Sequence, residues 1–390
     1  MAQHAYRINA FSAAPGSDPG AALQGLDGLA GPVETLGFGD FRLAVGTVES
    51  LPDPTGEALD RFLGEALAAS GTAYGWRVAR HGDRSFRAVA LGGDLDGTRL
   101  MEVAEALNGQ GLVVTGLRTL SESYAAVELT LAGPAAEPHE LTRALRPAAE
   151  EAGVDLAVLP PRDEQPEPGL LMMDMDSTLL AVECIDEIAE HAGVKDQVAA
   201  ITERAMNGEL DFRGSLIERV KMLEGLPEDV LESVYRERIV ANPGARRLVE
   251  TARGMGIRVA VVSGGFTFFT DRLKDELRLD YTDANVLEVA EGRLTGRVLG
   301  EIVDGARKAT NLRELRDRLG LRADQLIVLG DGANDLPMIA EAGLGLAFHA
   351  KPKVRERAPY NLIHSSLDGA LYLLGLTDAQ IDRLRQAAET

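Results

Sequence analysis

Two carboxylates and a hydroxyl stand close together in Asp174-Met175-Asp176-Ser177-Thr178, directly after the apolar run 170–173. A strand that runs into such a loop presents its acids at the edge of a sheet, where α/β proteins place their ligands. Taken alone, Asp-x-Asp-x-Thr is a common string, and a capped turn in an acidic chain is its more usual explanation. Three more features follow in order. Ser263-Gly264-Gly265 closes the apolar run 257–262; its glycines let backbone N–H groups approach an anion and its hydroxyl adds a donor. Lys308 opens a helical stretch, and Gly330-Asp331-Gly332-Ala333-Asn334-Asp335 closes the run 325–329 with two acids able to ligate a hard cation. Each is ordinary by itself. Four weak signals in one order, three of them at strand ends, make a strong one.

The elements that must position these residues are legible nearby. The three apolar runs are short, continuous and followed by glycine-rich turns, as strands of a buried parallel sheet are. Between the first two lies a long insertion, 185–238, with helical periodicity and almost no strand signal, which predicts a helical cap over about residues 184–240. Upstream, residues 87–91 predict a strand, and Leu100, Val103, Ala104 and Leu107 recur at helical spacing. Strands are then expected at 111–117 and 125–131, a helix near 141–149 and a last strand at 154–159. This βαββαβ order suits a four-stranded antiparallel sheet with two helices on one face. The first 80 residues predict a shortened copy, with a strand near 41–48, a helix after Pro54 and a strand at 76–79. That helix has Asp53 as N-cap, Pro54 at the first helical position and a stripe of Leu59, Phe62, Leu63, Ala66 and Leu67. The expected plan is therefore a degenerate unit at 1–82, a complete one at 83–160, a connector at 161–169 and an α/β domain at 170–390. Four prolines and a run of charges in 160–169 predict an extended connector with nothing to pack.

A formal net charge of -21 implies a surface that repels nucleic acid and anionic lipid, so neither is an expected partner. An anionic substrate then needs a locally positive site. The lone Cys184 rules out an internal disulfide and a cysteine-based zinc cluster, and fits a reducing compartment. The first twenty residues lack a basic, apolar secretory pattern, and no apolar run approaches the roughly 18 residues of a membrane span, so the cytoplasm is the expected location. The six histidines show no ligand spacing, and Lys351 and Lys353 read as a solvated face.

The order DMDST, SGG, Lys308 and GDGAND resembles the haloacid dehalogenase (HAD) superfamily of phosphatases. The longer strings MDMDSTL, ECIDEIAE, TERAMNGELDF, SGGFTFF, GDGANDLPMI and AFHAKPKV, spread over residues 170–374, resemble the phosphoserine phosphatases within it. That resemblance implies an α/β fold, a HAD-like Rossmannoid parallel sheet with a helical cap, and Mg²⁺ as cofactor. It implies Asp174 as nucleophile and Asp176 as general acid and base, roles that suit a reaction in which charge neutralisation and alignment are most of the task. Asp174, the Asp176 carbonyl and Asp331 would hold the metal, with Asp335 orienting them from behind. Ser263, Gly264, Lys308 and Asn334 would cradle the phosphoryl oxygens, and Lys308 would lower the pKa of Asp174. Substrate contacts are implied at Glu183 for an ammonium, Arg219 for a carboxylate, and Met206 and Phe212 as apolar walls. The βαββαβ pattern resembles the amino-acid-binding ACT module. It implies an amino-acid effector such as L-serine, with the loop 92–97 as the receiving segment, and sheets that pair in a homodimer. Two alternatives stay open on sequence: a HAD phosphatase or phosphotransferase for another small phosphoester, and a non-catalytic amino-acid sensor.

Overall fold

The computed structural model describes residues 4–14, 17–24, 29, 31–51, 73–78, 83–206 and 209–389. The helix expected after Pro54 lies outside them. Contacts divide the chain into two units. One takes residues up to Gln165 together with Ile363–Ser365 and Gly369–Gln380; the other takes Pro166–Leu362, Ser366–Asp368 and the chain from Ile381.

Two antiparallel four-stranded sheets build the N-terminal unit. The first has β1 (His4–Ser12), α1 (Pro19–Gln24), β2 (Glu34–Phe38), β3 (Phe41–Leu51) and β4 (Ala73–Val78), in the strand order β2-β3-β1-β4. Sequence periodicity does not find β1, because Ile8, Asn9, Ala10 and Phe11 are all buried instead of alternating, and one of them is polar. Asn9 is tolerated there because its Nδ2 donates to Val114 O at 3.2 Å. The second sheet has the expected βαββαβ order: β5 (Arg84–Leu91), α2 (Gly97–Gly109), β6 (Val113–Ser121), β7 (Ala126–Gly133), α3 (Pro138–Ala152) and β8 (Asp155–Leu159), arranged β6-β7-β5-β8. Leu100, Val103, Ala104 and Leu107 of α2 are buried in the core formed against this sheet. The α2 N-cap is Asp96, whose carboxylate accepts from Arg99 N at 2.9 Å.

The connector differs from its expected free, extended form. Arg162 pairs with the buried Glu128 at 2.8 Å and Gln165 accepts from Arg87 at 2.5 Å. Glu128 also pairs with Arg87 and Arg118, each at 3.2 Å. Arg118 and Arg162 donate onward to Gly375 O at 2.9 and 2.6 Å, which ties the segment Gly369–Gln380 into this unit. Neighbouring Asp155 accepts the backbone N–H groups of Ile363, His364 and Ser365, so a buried carboxylate is met by backbone donors.

At the centre of the other unit is β9 (Leu170–Met173), flanked by β10 (Arg258–Phe266) and β13 (Leu326–Gly330). The complete sheet runs β12-β11-β10-β9-β13-β14-β15, with β11 (Tyr281–Ala290), β12 (Arg293–Leu299), β14 (Leu344–Phe348) and β15 (Tyr360–Leu362). All its pairings are parallel except β11 with β12. That edge hairpin is half exposed and carries no continuous apolar run, which is why sequence patterning passes over it. Four helices, α4 (Cys184–His191), α5 (Lys195–Met206), α6 (Phe212–Lys221) and α7 (Asp229–Arg238), occupy the insertion. After them come α8 (Ala245–Gly254), α9 (Thr267–Leu277) and α10 (Gly305–Leu319). Among the described residues no helix is long and apolar enough to cross a membrane.

Register sets what the sheet presents. Met173 stands opposite both Val261 and Leu329, so the strands end level and Asp174, Ser263 and Asp331 emerge side by side. The Asp174 N–H still donates to Leu329 O at 3.0 Å, which anchors the first site residue to the sheet itself.

Candidate active site

From β9 the chain enters one wide turn over Met175–Leu179, closed by Leu180 N to Met175 O at 2.8 Å. Ser177 sits in this turn at φ +56°, a left-handed conformation uncommon for a residue with a Cβ. Asp174 is buried; its Oδ1 accepts from Met175 N at 2.7 Å and its Oδ2 meets Lys308 Nζ at 2.7 Å. Asp176 reaches the start of α4, where its Oδ1 accepts from Cys184 N at 2.9 Å, and Ser263 Oγ donates to its Oδ2 at 3.3 Å. Cys184, a small buried residue, thus serves Asp176 through its backbone amide and its thiol together. A Cβ on Gly265 would come within 2.4 Å of an Asp176 carboxylate oxygen and 2.7 Å of the Met175 methyl, so a larger residue there would displace those side chains.

Lys308 is fully buried on α10 and bridges two carboxylates, Asp174 and Asp335, each at 2.7 Å. Asp335 uses its other oxygen to accept from Gly332 N at 3.0 Å, which closes the turn that carries Asp331. Thr178, wholly buried, donates to Asp331 Oδ1 at 3.0 Å. One ligand atom from each of Asp174, Asp331 and Asp335 falls within 4.8 Å of the others, a grouping able to hold a metal ion. Asp335 thus stands with the metal-grouped acids as well as behind them.

Electrostatics support that reading. Burial pushes Asp174 well above the usual carboxylate range, and Asp335 raises it further; Lys308 acts in the lowering direction expected from sequence but is outweighed. Burial also raises Asp176, against hydrogen bonds from Cys184 that lower it. Asp331 is pushed up to about 6 by burial and by Asp335. Burial works against the Lys308 ammonium, yet Asp174 and Asp335 overcome it and hold its pKa above the ordinary lysine value. So many carboxylates around one ammonium leave negative charge uncompensated, and an all-oxygen donor set with that excess fits a hard divalent cation.

A cavity of about 120 Å³ opens over these groups. Asp174, Asp176, Glu183, Phe212, Arg219, Ser263, Gly264, Asp331 and Asn334 all line it, so most of the residues singled out from sequence meet in one place. Lys308 and Asp335 lie just behind. Met206 ends α5, but its side chain is outside the described residues. Phe212 closes against the turn of Ser263, Gly264 and Gly265, where a Cβ on Gly264 would come within 2.6 Å of its ring. Glu183 Oε1 accepts from Ser177 Oγ at 2.7 Å. Although Glu183 is exposed by residue area, enclosure at the cavity mouth and the nearby Asp176 charge push its pKa up to about 7. Arg219 lines the cavity, and its Nε donates to Ser215 O at 3.4 Å. Gly265, of the same turn as Ser263 and Gly264, lines the cavity too, as do Ile185, Leu216 and Phe266, for which no role is expected from sequence; an apolar position carries no signal that distinguishes a wall from a core residue. Thr178 was passed over as well, although it belongs to the same string as Asp174.

A sheet with an acidic loop after its central strand, a buried lysine and an acidic third loop defines a phosphoryl-transfer hydrolase, and residues 171–340 match the family model of the haloacid dehalogenase-like hydrolases. A phosphoserine phosphatase of Polaromonas sp. is 52% identical over 210 residues, covering 53% of this chain and 89% of that one. The crystal structure of a probable phosphoserine phosphatase from Vibrio cholerae, 36% identical, superposes with a TM-score of 0.61 over 77% of this chain and 88% of its own. A phosphoserine phosphatase solved as a phospho-aspartyl intermediate analogue is 39% identical, with a TM-score of 0.50 over 54% of this chain and 100% of its own. The chain belongs to the phosphoserine phosphatase family of the haloacid dehalogenase-like hydrolases.

Proposed function

We infer that this enzyme hydrolyses O-phospho-L-serine to L-serine and phosphate through an aspartyl-phosphate on Asp174. The observation that carries this reading is the meeting of Asp174, Lys308, Ser263 and Asp331 beneath a cavity whose cap side offers Glu183 and Arg219. Asp174 attacks phosphorus and the serine oxygen leaves. Asp176, whose raised pKa favours a proton at rest, donates it to that oxygen and then takes one from the water that attacks the acyl phosphate. Ser263, the Gly264 backbone, Lys308 and Asn334 bind phosphoryl oxygens and hold the group in line. Phe212 excludes water on the cap side, and Met206 is proposed beside it.

The acids fit Mg²⁺, with Asp174, Asp331 and the Asp176 carbonyl as ligands and Asp335 close by. When bound, the ion neutralises phosphate charge and keeps Asp174 ionised. The raised Asp331 pKa makes stability depend on pH. A carboxyl titrating higher when folded contributes stability below its unfolded pKa, and that contribution is lost as pH rises through about 6. Without divalent cation the phosphatase unit should therefore lose stability between about pH 4 and pH 6. Saturating Mg²⁺ should raise its melting temperature by about 5–10 °C at pH 7.5 and by much less at pH 5. Calorimetry with Mg²⁺ and with chelator checks this; equal shifts at both pH values would remove the metal assignment.

Specificity rests on charge pairing in the cap. Arg219→Ala should raise KM for phosphoserine by about 10–100-fold, the loss of a charge-assisted bidentate contact, while hydrolysis of p-nitrophenyl phosphate stays within about threefold. Because Glu183 must be ionised to meet the substrate ammonium, kcat/KM for phosphoserine should fall as pH drops through about 7, and Glu183→Gln should flatten that limb. A phosphate-release panel of small phosphoesters tests both. An unchanged preference in Arg219→Ala would favour another substrate for this HAD enzyme. The remaining proposals are an amino-acid effector such as L-serine at the N-terminal unit, pairing of its sheets in a homodimer and a cytoplasmic location; the antiparallel α+β architecture of that unit supports an ACT-like module.

A further inference from the structure

The turn that carries Asp176, Ser177 and Thr178 is held from outside by one side chain far away in sequence. After α7 the chain returns from the cap through residues 239–242. Leu180 pairs with Ala241 in a short antiparallel bridge, Ala181 N donates to Val240 O at 2.8 Å, and Asn242 N donates to Leu179 O at 2.9 Å. The outgoing and returning crossings between core and cap are thus laced together. Asn242 then adds its carboxamide: Nδ2 donates to Thr178 O at 2.8 Å and to Leu180 O at 2.9 Å, and lies 3.5 Å from Ser177 O. The Asn242 backbone carbonyl accepts from Ala245 N at 3.0 Å, fixing the residue to the start of α8.

We propose that Asn242 is a positioning residue that keeps the turn in its reactive shape. Two N–H donors on one nitrogen match the two carbonyls that flank Leu179, and a carboxylate or hydroxyl cannot supply both. The grip matters because the turn is strained at Ser177, and because the held residues do further work: Thr178 Oγ1 donates to Asp331 and Ser177 Oγ to Glu183. Released, the turn would relax toward a more ordinary backbone and move Asp176 with it. Misplacement of a reacting group by about 1 Å costs on the order of 100-fold in rate.

The inference rests on the phosphatase reading, and its test uses the full chain with two substrates, phosphoserine and p-nitrophenyl phosphate. Asn242→Ala should lower kcat for both by a similar factor, about 10–100-fold, while KM for phosphoserine moves less than threefold. Asn242→Asp, the same shape with acceptors facing carbonyls, should be at least as impaired, and Asn242→Thr, with one donor, should recover part of the loss. Should the alanine variant fold poorly, the threonine and aspartate variants still order the three side chains by donor number. Unchanged kcat in Asn242→Ala or Asn242→Asp would overturn the proposal. So would a loss confined to KM for phosphoserine, or losses that follow melting temperature and not donor number. A wild-type enzyme inactive on both substrates would overturn the phosphatase reading and this inference together.

Discussion

Asn in place of Asp174 will yield a folded protein that releases phosphate from phosphoserine at least about 10⁴-fold more slowly than the wild type, with no recovery on adding Mg²⁺. The amide keeps an oxygen for Lys308 and nearly the same volume, so the loss isolates the nucleophile. The same substitution should stabilise the metal-free enzyme by about 1–2 kcal/mol, since functional sites commonly store destabilisation that a neutral residue releases. The sign follows from the raised Asp174 pKa: burial and the neighbouring Asp335 disfavour the charged form, and that cost appears as pH rises. The gain should therefore be larger at pH 8 than at pH 5. Urea denaturation of both proteins in chelator, alongside a phosphate-release assay, measures the two effects together. A lower midpoint for Asp174→Asn at pH 8 would mean that the Lys308 attraction exceeds burial and like-charge repulsion.

Lys308→Met should be damaging in both respects. Its ammonium is fully buried between Asp174 and Asp335, so removing it strands two carboxylates where water cannot reach them. Breaking a buried pair on one side costs about 3–5 kcal/mol. Lys308 is what lowers the Asp174 pKa, so without the cation Asp174 protonates more readily, and the penalty should be largest near pH 8 and shrink toward pH 5. Phosphate release should fall by about 10³-fold or more, the usual range for losing a group that stabilises charge in the transition state. A penalty independent of pH would show that the methionine's packing, and not stranded charge, was responsible. The two variants have opposite expected effects on stability from the same hydrogen-bonded pair.

Much of the site is legible in sequence because catalytic chemistry concentrates in loops that follow strands without interruption. Asp174 and Asp176 share one turn, and Asp331 and Asp335 another, so short strings report true neighbours. Lys308 is the instructive case: by type it reads as a surface residue, and only its order among the other motifs singles it out, whereas the structure gives it no exposure at all. Apolar walls such as Ile185 and Leu216 stayed hidden because a residue lining a cavity and one filling a core have the same chemistry. The connector was misread for a related reason. Prolines and charges look unpackable in isolation, but Arg162 has a carboxylate to meet, Glu128, that belongs to a strand far upstream.

By itself, then, the sequence determined the α/β class, the four loops that carry reactive groups, and the identity of the nucleophile's neighbours along the chain, because strand ends and local turns depend on nearby residues. Tertiary structure decided which charges compensate one another, how far each carboxyl is pushed from its ordinary pKa, and that the Asp174 turn is braced by Asn242 from the far side of the cap. The physical reason is that burial, Coulomb interaction and hydrogen-bond geometry depend on distance through space, and in this fold the decisive partners, Asp174 with Lys308 and Thr178 with Asp331 and Asn242, are separated by most of the phosphatase unit or by the whole cap.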